Sequence, residues 1–326
     1  MSRFDYLISK IQDAEIREEP FRHIYIENFF TGTDFEEIVK LPEIDVPEAA
    51  NDSDLFEKLH ASGYKIINFP GCITDRDEYI SWHENRAREG RTIHTACEGF
   101  GVTLRLKEPR SELLAELDAF LADKPFNEAI ARRFDIDVED CNIDGGIQKY
   151  LDGYEISPHP DIRRKAATFM VNINPHADSE SRDHHTHYLK LSSERAYVRD
   201  FWEANEDVDR CWVPWDWCDV EWTQPANNSI VIFSPSNNTM HGVKARYDHL
   251  NGQRTQLYGN LWYNEMPPMR KAEWEALAVN DIADIQITDA APQLMSLKAK
   301  KKLSKLVRGV KSKLGKTDST YFRREH

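Results

Sequence analysis

The chain has 326 residues, of which 40% are hydrophobic and 30% charged, and a formal net charge of −14. This composition is ordinary for a globular protein, and the length allows one large domain or two smaller ones. The negative charge argues against a general nucleic-acid binder, because such proteins gain most of their affinity by neutralising phosphates. The five cysteines are odd in number and lack CxxC spacing, which argues against a disulfide framework or a structural zinc site and favours a reducing, cytoplasmic setting.

The sequence predicts no targeting or membrane-spanning segment. The first residues, MSRFDYLISKIQDAE, lack the apolar core of a signal peptide, and no run of about 18 apolar residues occurs. Positive charge is concentrated in residues 297–326, where eleven Lys or Arg stand against two acidic residues. That segment has a net charge of +9, and the rest of the chain has −23.

Residues 1–140 show short patterns of both helix and strand. The segment PFRHIYIENFF, from Pro20 to Phe30, alternates as a strand does. Thr33 and Glu36 have the spacing of a capping box, which predicts that a helix begins there. The segment from Ser111 to Phe134 predicts one or two amphipathic helices, whose common apolar face contains Leu113, Leu114, Leu117, Phe120 and Leu121.

From Ile147 to Tyr263 the hydrophobic period changes to two. Short runs bounded by turn residues predict antiparallel strands: GIQKYL, AATFMVNIN, HYLKL, NSIVIF and RTQLYGNLWY. Helices before the strands and strands after them predict an α+β chain in which helices pack on a β-core. The segment MRKAEWEALA then predicts a further helix.

Three residues in this region have the chemistry of a metal site. In an extended chain the side chains of His159 and Asp161 point to one face, although an HxD tripeptide alone is weak evidence. His241 is a candidate third ligand because it follows an apolar strand and a polar turn. Two histidines and a carboxylate on one face of an octahedral Fe(II) leave three positions for a chelating cosubstrate and O2.

Arg254 is an independent signal. It begins the alternating strand RTQLYGNLWY, where a charge pointing inward is costly unless it meets a carboxylate. A guanidinium can bind a carboxylate through two parallel hydrogen bonds. A dicarboxylic cosubstrate such as 2-oxoglutarate would supply that carboxylate.

These residues resemble those of the 2-oxoglutarate- and Fe(II)-dependent dioxygenases, specifically the prolyl-4-hydroxylase-like branch. The resemblance covers roughly residues 140–265 and consists of the following elements in order: Tyr150 and Gly153 as YxxG, His159 and Asp161 as HxD, the strand RKAATFMVNINP, the PxxxSIVIF segment from Pro225 to Phe233, His241, and Arg254.

The resemblance implies a double-stranded β-helix (jelly roll) core buttressed by helices, with His159, Asp161 and His241 ligating Fe(II). It implies that Arg254 anchors 2-oxoglutarate in a pocket with Tyr150, Thr168, Met170 and Asn172. The reaction would consume O2, release succinate and CO2, and hydroxylate an unactivated C–H bond of a peptidyl residue or a small metabolite. Ascorbate would be an optional reductant.

Two departures from the family pattern bear on the site. A glycine pair usual after the HxD segment is replaced by the polar SESRDHHTHYLKL. Arg254 also lies farther from its histidine than in close branch members, which leaves Lys244 and Arg246 as alternative partners for the carboxylate. We prefer Arg254, because it begins a strand whereas the other two lie in a predicted loop.

The chain is accordingly divided into four segments. Residues 1–140 are predicted to be a support region of the same domain, 141–265 the catalytic core, 266–296 a C-terminal helical segment, and 297–326 a basic amphipathic tail. Leucines and valines at helical spacing among lysines predict that residues 297–316 contact an anionic membrane surface or a protein partner. A solvated end is the alternative. The oligomeric state is not predicted.

Other interpretations stay open. The chain could be a noncatalytic jelly-roll module that binds a partner through its tail, or a zinc hydrolase. The histidines at 176, 184, 185 and 187 are interpreted as a solvated loop or as a flap facing the substrate. The tryptophan-rich segment CWVPWDWCDVEW is interpreted as core or lid packing rather than as a stacking surface for substrate. Nucleic-acid demethylation is disfavoured, because Tyr258 and Asn260 stand where such relatives carry a further arginine.

Overall fold

The structure is a computed structural model that describes residues 2–85, 96–205, 208 and 210–265. All of these residues lie in the first of two compact units, Met1–Ala272. The predicted C-terminal helical segment (266–296) and basic tail (297–326) lie outside the described residues. The four-part division of the chain therefore stays a prediction.

The described residues form seven α-helices and twelve β-strands. The helices are α1 Tyr6–Asp13, α2 Gly32–Val39, α3 Asp52–Ala61, α4 Arg76–Asn85, α5 Glu112–Ala122, α6 Lys124–Arg133 and α7 Tyr197–Ala204. The strands are β1 Ile16–Arg17, β2 His23–Ile26, β3 Tyr64–Ile66, β4 Thr103–Leu106, β5 Cys141–Tyr150, β6 Glu155–His159, β7 Lys165–Asn172, β8 Thr186–Leu191, β9 Cys218–Thr223, β10 Ile230–Phe233, β11 His241–Lys244 and β12 Arg254–Tyr263.

The strands pair into two antiparallel sheets. The larger sheet has the order β1-β2-β10-β7-β12-β5-β4-β3, and the smaller sheet has the order β6-β11-β8-β9. From β5 onward the chain alternates between the sheets, except that β8 and β9 are consecutive neighbours in the smaller one. The prediction of mixed helices and antiparallel strands is thus confirmed. The short strands β1 to β4 extend the larger sheet at both edges.

The larger sheet has one apolar face and one polar face, because successive side chains of a strand point to opposite sides. Phe169 and Val171 of β7, like Leu257 and Leu261 of β12, belong to the main hydrophobic core together with residues of α1, α3, α5 and α6. Thr168 and Met170 of β7 and the alternate residues of β12 line a cavity instead. The helices therefore cover one face and leave the other for the site.

The helix boundaries correct one prediction and refine another. The capping residue of α2 is Thr31, whose hydroxyl accepts a hydrogen bond from the amide of Asp34 at 3.1 Å; the predicted capping box at Thr33 and Glu36 is wrong. The helix begins at Gly32, so Thr33 already lies inside its first turn. The segment from Ser111 to Phe134 forms two helices, separated at Asp123, whose carboxylate caps α6.

Two expectations about the class of protein can be compared with the structure. All five cysteines are free thiols, in agreement with the absence of CxxC spacing. Within the part of the chain that the structure describes, no helix combines the length and apolar character needed to cross a membrane.

Candidate functional site

The three predicted metal ligands come together at one end of the smaller sheet. His159 is the last residue of β6 and His241 is the first of β11, and the two are directly opposite in register with ring centroids 4.3 Å apart. The Asp161 carboxylate lies 3.5 Å from His159 Nε2 through Oδ1 and 3.8 Å from His241 Nε2 through Oδ2. All three are buried, and their potential ligand atoms lie within 4.8 Å of one another. This spacing suits a single metal ion.

Both histidines are held in the tautomer that a metal requires. His159 Nδ1 donates to the carbonyl of Ser157 at 2.9 Å, and His241 Nδ1 donates to the carbonyl of Thr239 at 2.8 Å. A carbonyl only accepts, so the proton lies on Nδ1 and Nε2 presents its lone pair. Burial, reinforced by the neighbouring His159, lowers the pKa of His241 to about 3. The ring of His241 is therefore neutral at physiological pH, as metal ligation requires.

Asp161 reaches the histidines through a turn. The prediction that an extended chain places the side chains of His159 and Asp161 on one face is therefore wrong. Strand β6 ends at His159, and Asp161 has a φ of 72°, in the left-handed region that aspartate tolerates better than most residues. Lys165 Nζ donates to Oδ1 at 2.7 Å, and Thr168 Oγ1 lies 3.0 Å from Oδ2. These two contacts fix the orientation of the carboxylate.

The surroundings of Asp161 keep it ionised. Burial alone would raise its pKa, but the Lys165 ammonium and the two histidines together lower the pKa well below its usual range. The same ion pair raises the pKa of Lys165, against the opposing effect of burial. The site thus offers one anionic carboxylate beside two imidazole rings.

The three residues open into a cavity of about 630 Å³ between the two sheets. This volume lies within the range of small-molecule sites. Among the described residues, the lining includes Tyr150, Thr168, Thr186 and Arg254, together with aromatic and aliphatic side chains such as Ile66, Phe69, Trp212 and Trp262.

Arg254 is buried in this cavity without an acidic partner. It is 2% exposed and lies opposite Tyr150 in register, with its guanidinium carbon 4.5 Å from the centre of that ring. Its Nη2 donates to Thr186 Oγ1 at 2.9 Å. No carboxylate among the described residues lies within ion-pair distance of it. A buried cation of this kind is costly unless a ligand neutralises it, so an anionic ligand fits here.

The alternative cations do not line the cavity. Lys244 forms an ion pair with Glu155 at 3.4 Å, and Arg246 is exposed. Lys244 is the last residue of β11, so the prediction of a loop is wrong for it, and Arg246 follows the strand. Arg254 is therefore the residue placed to bind a carboxylate next to the three candidate ligands.

Of the four predicted pocket residues, Tyr150, Thr168 and Met170 line the cavity, and Asn172 does not. The Asn172 amide donates to the carbonyls of Gln224 and Ala226 at 3.0 and 3.1 Å and accepts from Gln256 at 2.8 Å. These bonds satisfy the side chain away from the cavity. The prediction for Asn172 is accordingly corrected: its role is to hold β7 to the segment before β10.

Sequence reasoning missed several residues of the site. Lys165, Tyr258 and Asn260 line the cavity around Asp161, and Thr186 touches Arg254. Lys165 could have been found, because it stands four residues after Asp161 and begins an apolar strand in which an unpaired ammonium would be costly. Nothing in the sequence marks Thr186, since its contact depends on the pairing of the two sheets.

The structure agrees with the predictions for some residues of the histidine-rich loop and the tryptophan-rich segment and differs for others. His184 is 1% exposed, so the interpretation of the loop as solvated is wrong for that residue. Trp215 and Trp217 pack beside Leu189, and Trp222 stacks on Tyr188, which agrees with packing roles. Trp212 lines the cavity.

A second group with metal-binding residue types, Asp52, His83 and His249, has a different character. His249 Nδ1 accepts from the backbone amide of Asp152 at 2.8 Å, so its Nε2 carries the proton that bonds Asp52 Oδ1 at 2.6 Å. His83 faces the carboxylates of Asp52 and Asp152 with its two ring nitrogens, at 2.6 and 3.0 Å. No ring nitrogen of this group presents a lone pair to an ion. The group is a hydrogen-bonded network that joins α3 and α4 to the turns of the β-core.

Comparisons with known proteins give structural likenesses only. No protein-family model matches the chain, and no curated protein matches it significantly. A prolyl-4-hydroxylase from Pseudomonas putida is 10% identical with a TM-score of 0.36, over 80% of this chain and 100% of that one. A Trichoplax adhaerens prolyl hydroxylase, solved with a peptide fragment of hypoxia inducible factor, is 13% identical with a TM-score of 0.30, over 71% and 91% of the two chains.

A third similar structure is an oxidoreductase of the 2OG-Fe(II) oxygenase family from Burkholderia pseudomallei. It is 13% identical with a TM-score of 0.28, over 68% of this chain and 95% of that chain. Because these identities and TM-scores are low, the function proposed next rests on the geometry of the site.

Proposed function

We propose that this chain is an Fe(II)- and 2-oxoglutarate-dependent dioxygenase that hydroxylates an unactivated C–H bond of a peptidyl residue or a small metabolite. One observation carries the proposal: two histidines and one carboxylate converge in the same cavity as a buried arginine that lacks a carboxylate partner among the described residues. A facial set of two histidines and a carboxylate suits a non-haem Fe(II) with open positions. The unpaired arginine suits a second, anionic ligand beside the metal.

We also infer that strands β5 to β12 form a double-stranded β-helix. The supporting observation is the order of strands: β10-β7-β12-β5 within the larger sheet and β6-β11-β8-β9 in the smaller one. From β5 to β12, successive strands lie in alternate sheets, except that β8 and β9 pair with each other in the smaller sheet. Such a winding brings the ends of β6 and β11 to the mouth of the cavity, where the candidate ligands lie.

The side chains have distinct roles in this proposal. His159, Asp161 and His241 would hold Fe(II) through two Nε2 atoms and one carboxylate oxygen. Fe(II) together with 2-oxoglutarate and O2 supplies the oxidising chemistry, with release of succinate and CO2. Arg254 and the Thr186 hydroxyl bind the far carboxylate of 2-oxoglutarate, with the ring of Tyr150 against the guanidinium. Met170, Ile156 and Val243 limit access of water to the cavity.

The proposal is tested by succinate formation. Purified protein loaded with Fe(II) and supplied with ascorbate is incubated with 2-oxoglutarate and a panel of candidate peptides and metabolites. We expect succinate from the wild-type protein and a loss of at least about a hundredfold in His159→Ala, because removal of one ligand opens the metal site. His60→Ala, at an exposed histidine of α3, is the matched control and keeps its activity.

Two outcomes would favour other functions. Metal-replete protein that neither binds nor consumes 2-oxoglutarate would support a noncatalytic binding module. Restoration of a hydrolytic activity by Zn(II), with no succinate under Fe(II), would support a zinc hydrolase, since two histidines and an aspartate also suit zinc.

A further inference from the structure

The cavity contains hydrogen-bond donors beside Asp161 that the proposed iron and 2-oxoglutarate leave unpaired. Lys165 is the first of them; its side chain is 10% exposed and lines the cavity. Its ammonium donates to Asp161 Oδ1 at 2.7 Å and to the Tyr258 hydroxyl at 3.0 Å. An ammonium has three N–H groups, so one of them has no oxygen partner among the described residues.

Asn260 is the second such donor. It is 0% exposed and lines the cavity. Its Oδ1 accepts a hydrogen bond from the Thr168 hydroxyl at 3.0 Å, whereas its Nδ2 has no partner within the described chain. A buried amide left unpaired costs roughly 1–3 kcal/mol, so a ligand oxygen that accepts from Nδ2 would stabilise the site.

The two donors stand on either side of the candidate metal carboxylate. Lys165 contacts Oδ1 of Asp161, while Thr168 contacts Oδ2 and connects it to Asn260. A group held by both donors therefore lies next to the metal position, where a reacting C–H bond has to be.

Aromatic side chains form the adjoining wall. The Lys165 ammonium lies 5.6 Å from the ring centres of both Tyr258 and Trp262, which with Lys165 line the cavity. Ile66, Phe69 and Trp212 contribute further apolar surface. This wall suits an apolar body attached to the group that the donors bind.

The charges of the site leave room for one more negative charge. A divalent metal, Arg254 and Lys165 together carry four positive charges, and Asp161 with a dicarboxylate carries three negative ones. The other charged residues of the lining include two ion pairs, Arg105 with Asp144 at 2.8 Å and Arg210 with Glu98. Lys107 also lines the cavity, but it is exposed, so solvent screens its charge and it is left out of this balance. The balance thus favours a monoanion.

We propose that Lys165 and Asn260 form a carboxylate subsite for the substrate, which is a small carboxylic acid with an apolar body lying against Tyr258 and Trp262. Two donors match the two oxygens of a planar carboxylate, and the charge surplus matches its single charge. The inference rests on the proposed function and narrows its substrate class.

Binding without turnover tests the carboxylate subsite. Protein loaded with Fe(II) and saturated with 2-oxoglutarate is titrated, in the absence of O2, with carboxylic acids and their primary amides in matched pairs, such as phenylacetate and phenylacetamide. Isothermal calorimetry is the readout. We expect at least one acid to bind about tenfold or more tightly than its amide, because a charge-assisted hydrogen bond is lost in the amide.

Two variants test whether Lys165 and Asn260 cause the preference for an acid over its amide. Asn260→Asp has the same size and keeps an acceptor for Thr168 but replaces the donor with an anionic oxygen, and Lys165→Met removes the ammonium. In each variant, the affinity for the acid should exceed the affinity for its amide by less than about twofold. If one variant does not fold, the other is sufficient for the test. Lys244→Met, at a partly exposed lysine outside the cavity, is the control and should keep the preference.

The results separate this inference from the proposed function. Wild-type protein that binds no 2-oxoglutarate would contradict the proposed function itself. If 2-oxoglutarate binds but no acid outcompetes its amide, or the preference survives Asn260→Asp and Lys165→Met, the carboxylate subsite is wrong. Acid binding that 2-oxoglutarate displaces would place the acid at Arg254 and would overturn the subsite equally.

Discussion

Arg254 combines a cost to the fold with a role in ligand binding. A guanidinium that is 2% exposed and has no acidic partner among the described residues destabilises the folded protein. The Thr186 hydroxyl and the face of Tyr150 offset part of that cost. A carboxylate ligand that pairs with Arg254 would offset the rest of this free-energy cost.

Replacement of Arg254 by methionine should therefore separate stability from binding. We expect Arg254→Met to unfold at the same or a higher temperature than the wild type, because an apolar side chain of similar length replaces a buried charge. Its affinity for 2-oxoglutarate should fall at least about tenfold, by calorimetry on metal-loaded protein. A variant that binds 2-oxoglutarate as tightly as the wild type would contradict the assignment of Arg254.

Lys149 is a second buried cation, but its surroundings differ. Its ammonium donates to the carbonyl of Ile44 and to Thr255 Oγ1, both at 2.8 Å, and it does not line the cavity. Burial lowers its pKa from 10.5 to about 7. A neutral amine has two N–H donors, which is the number that these two acceptors require.

This lowered pKa predicts a dependence of stability on pH. Between about pH 7 and 10.5 the unfolded chain binds a proton at Lys149 that the folded protein lacks, so the free energy of unfolding rises with pH in this window. The contribution is fully present above pH 10.5 and is lost as the pH falls through 7.

Urea denaturation of the wild type and of Lys149→Met over pH 7 to 10 measures the effect. The difference in unfolding free energy should grow in favour of the wild type by up to about 1.4 kcal/mol per pH unit. Other groups titrate in both proteins and cancel in the difference. Parallel curves would contradict the lowered pKa of Lys149.

Two nearby threonines lie at the start of helix α2, and by sequence either could cap its first turn. Thr31 and Thr33 are both exposed, and each is followed three residues later by an acidic residue, Asp34 or Glu36. Thr31 has the extended ψ of a capping residue and precedes Gly32, whereas Thr33 lies within the helix. Asp34 is buried and bonds Arg3 and Tyr6, so tertiary contacts determine the register.

The two threonines make a matched pair of substitutions. Thr31→Ala should reduce the unfolding free energy by about 1 kcal/mol, because the amide of Asp34 loses its acceptor. Thr33→Ala should change it by less than about 0.5 kcal/mol, since alanine is a better helix former and no cap is lost. Denaturant titration of both variants distinguishes the two possible caps, and equal losses would contradict the assignment to Thr31.

At the scale of the whole molecule, the site is divided between the two sheets. Strands β6 and β11 of the smaller sheet carry the two histidines, whereas β12 and β7 of the larger sheet carry Arg254, Lys165 and Thr168. A metal with 2-oxoglutarate would bridge the two sheets. Ligands that bind only the folded state raise its stability by mass action.

Thermal melting should show this coupling. Fe(II) and 2-oxoglutarate, each at a hundredfold excess over its dissociation constant, should each add about 2.7 kcal/mol to the unfolding free energy of the wild type. A chelator should reverse the gain. In His241→Ala the metal should give no comparable shift, and an equal shift in that variant would contradict His241 as a ligand.

The elements with a local signal could be predicted from the sequence. The period-two runs located β7, β10 and β12, and Arg254 begins β12 as the pattern indicated. The HxD tripeptide and His241 could be nominated from residue type and context, and the structure brings these three side chains together. These signals can be recognised in the sequence because alternation and turn residues are properties of neighbouring positions.

The contacts among the residues of the site could be learned only from the tertiary structure. The pairing of His159 with His241, the left-handed turn at Asp161, and the contact of Arg254 with Thr186 depend on strands that are far apart in the chain. For the same reason the sequence does not show that Asn172 lies outside the cavity, or that Lys165 and Asn260 line it. Which polar groups remain unpaired in a cavity depends on how two sheets pack, and no pattern along one strand contains that information.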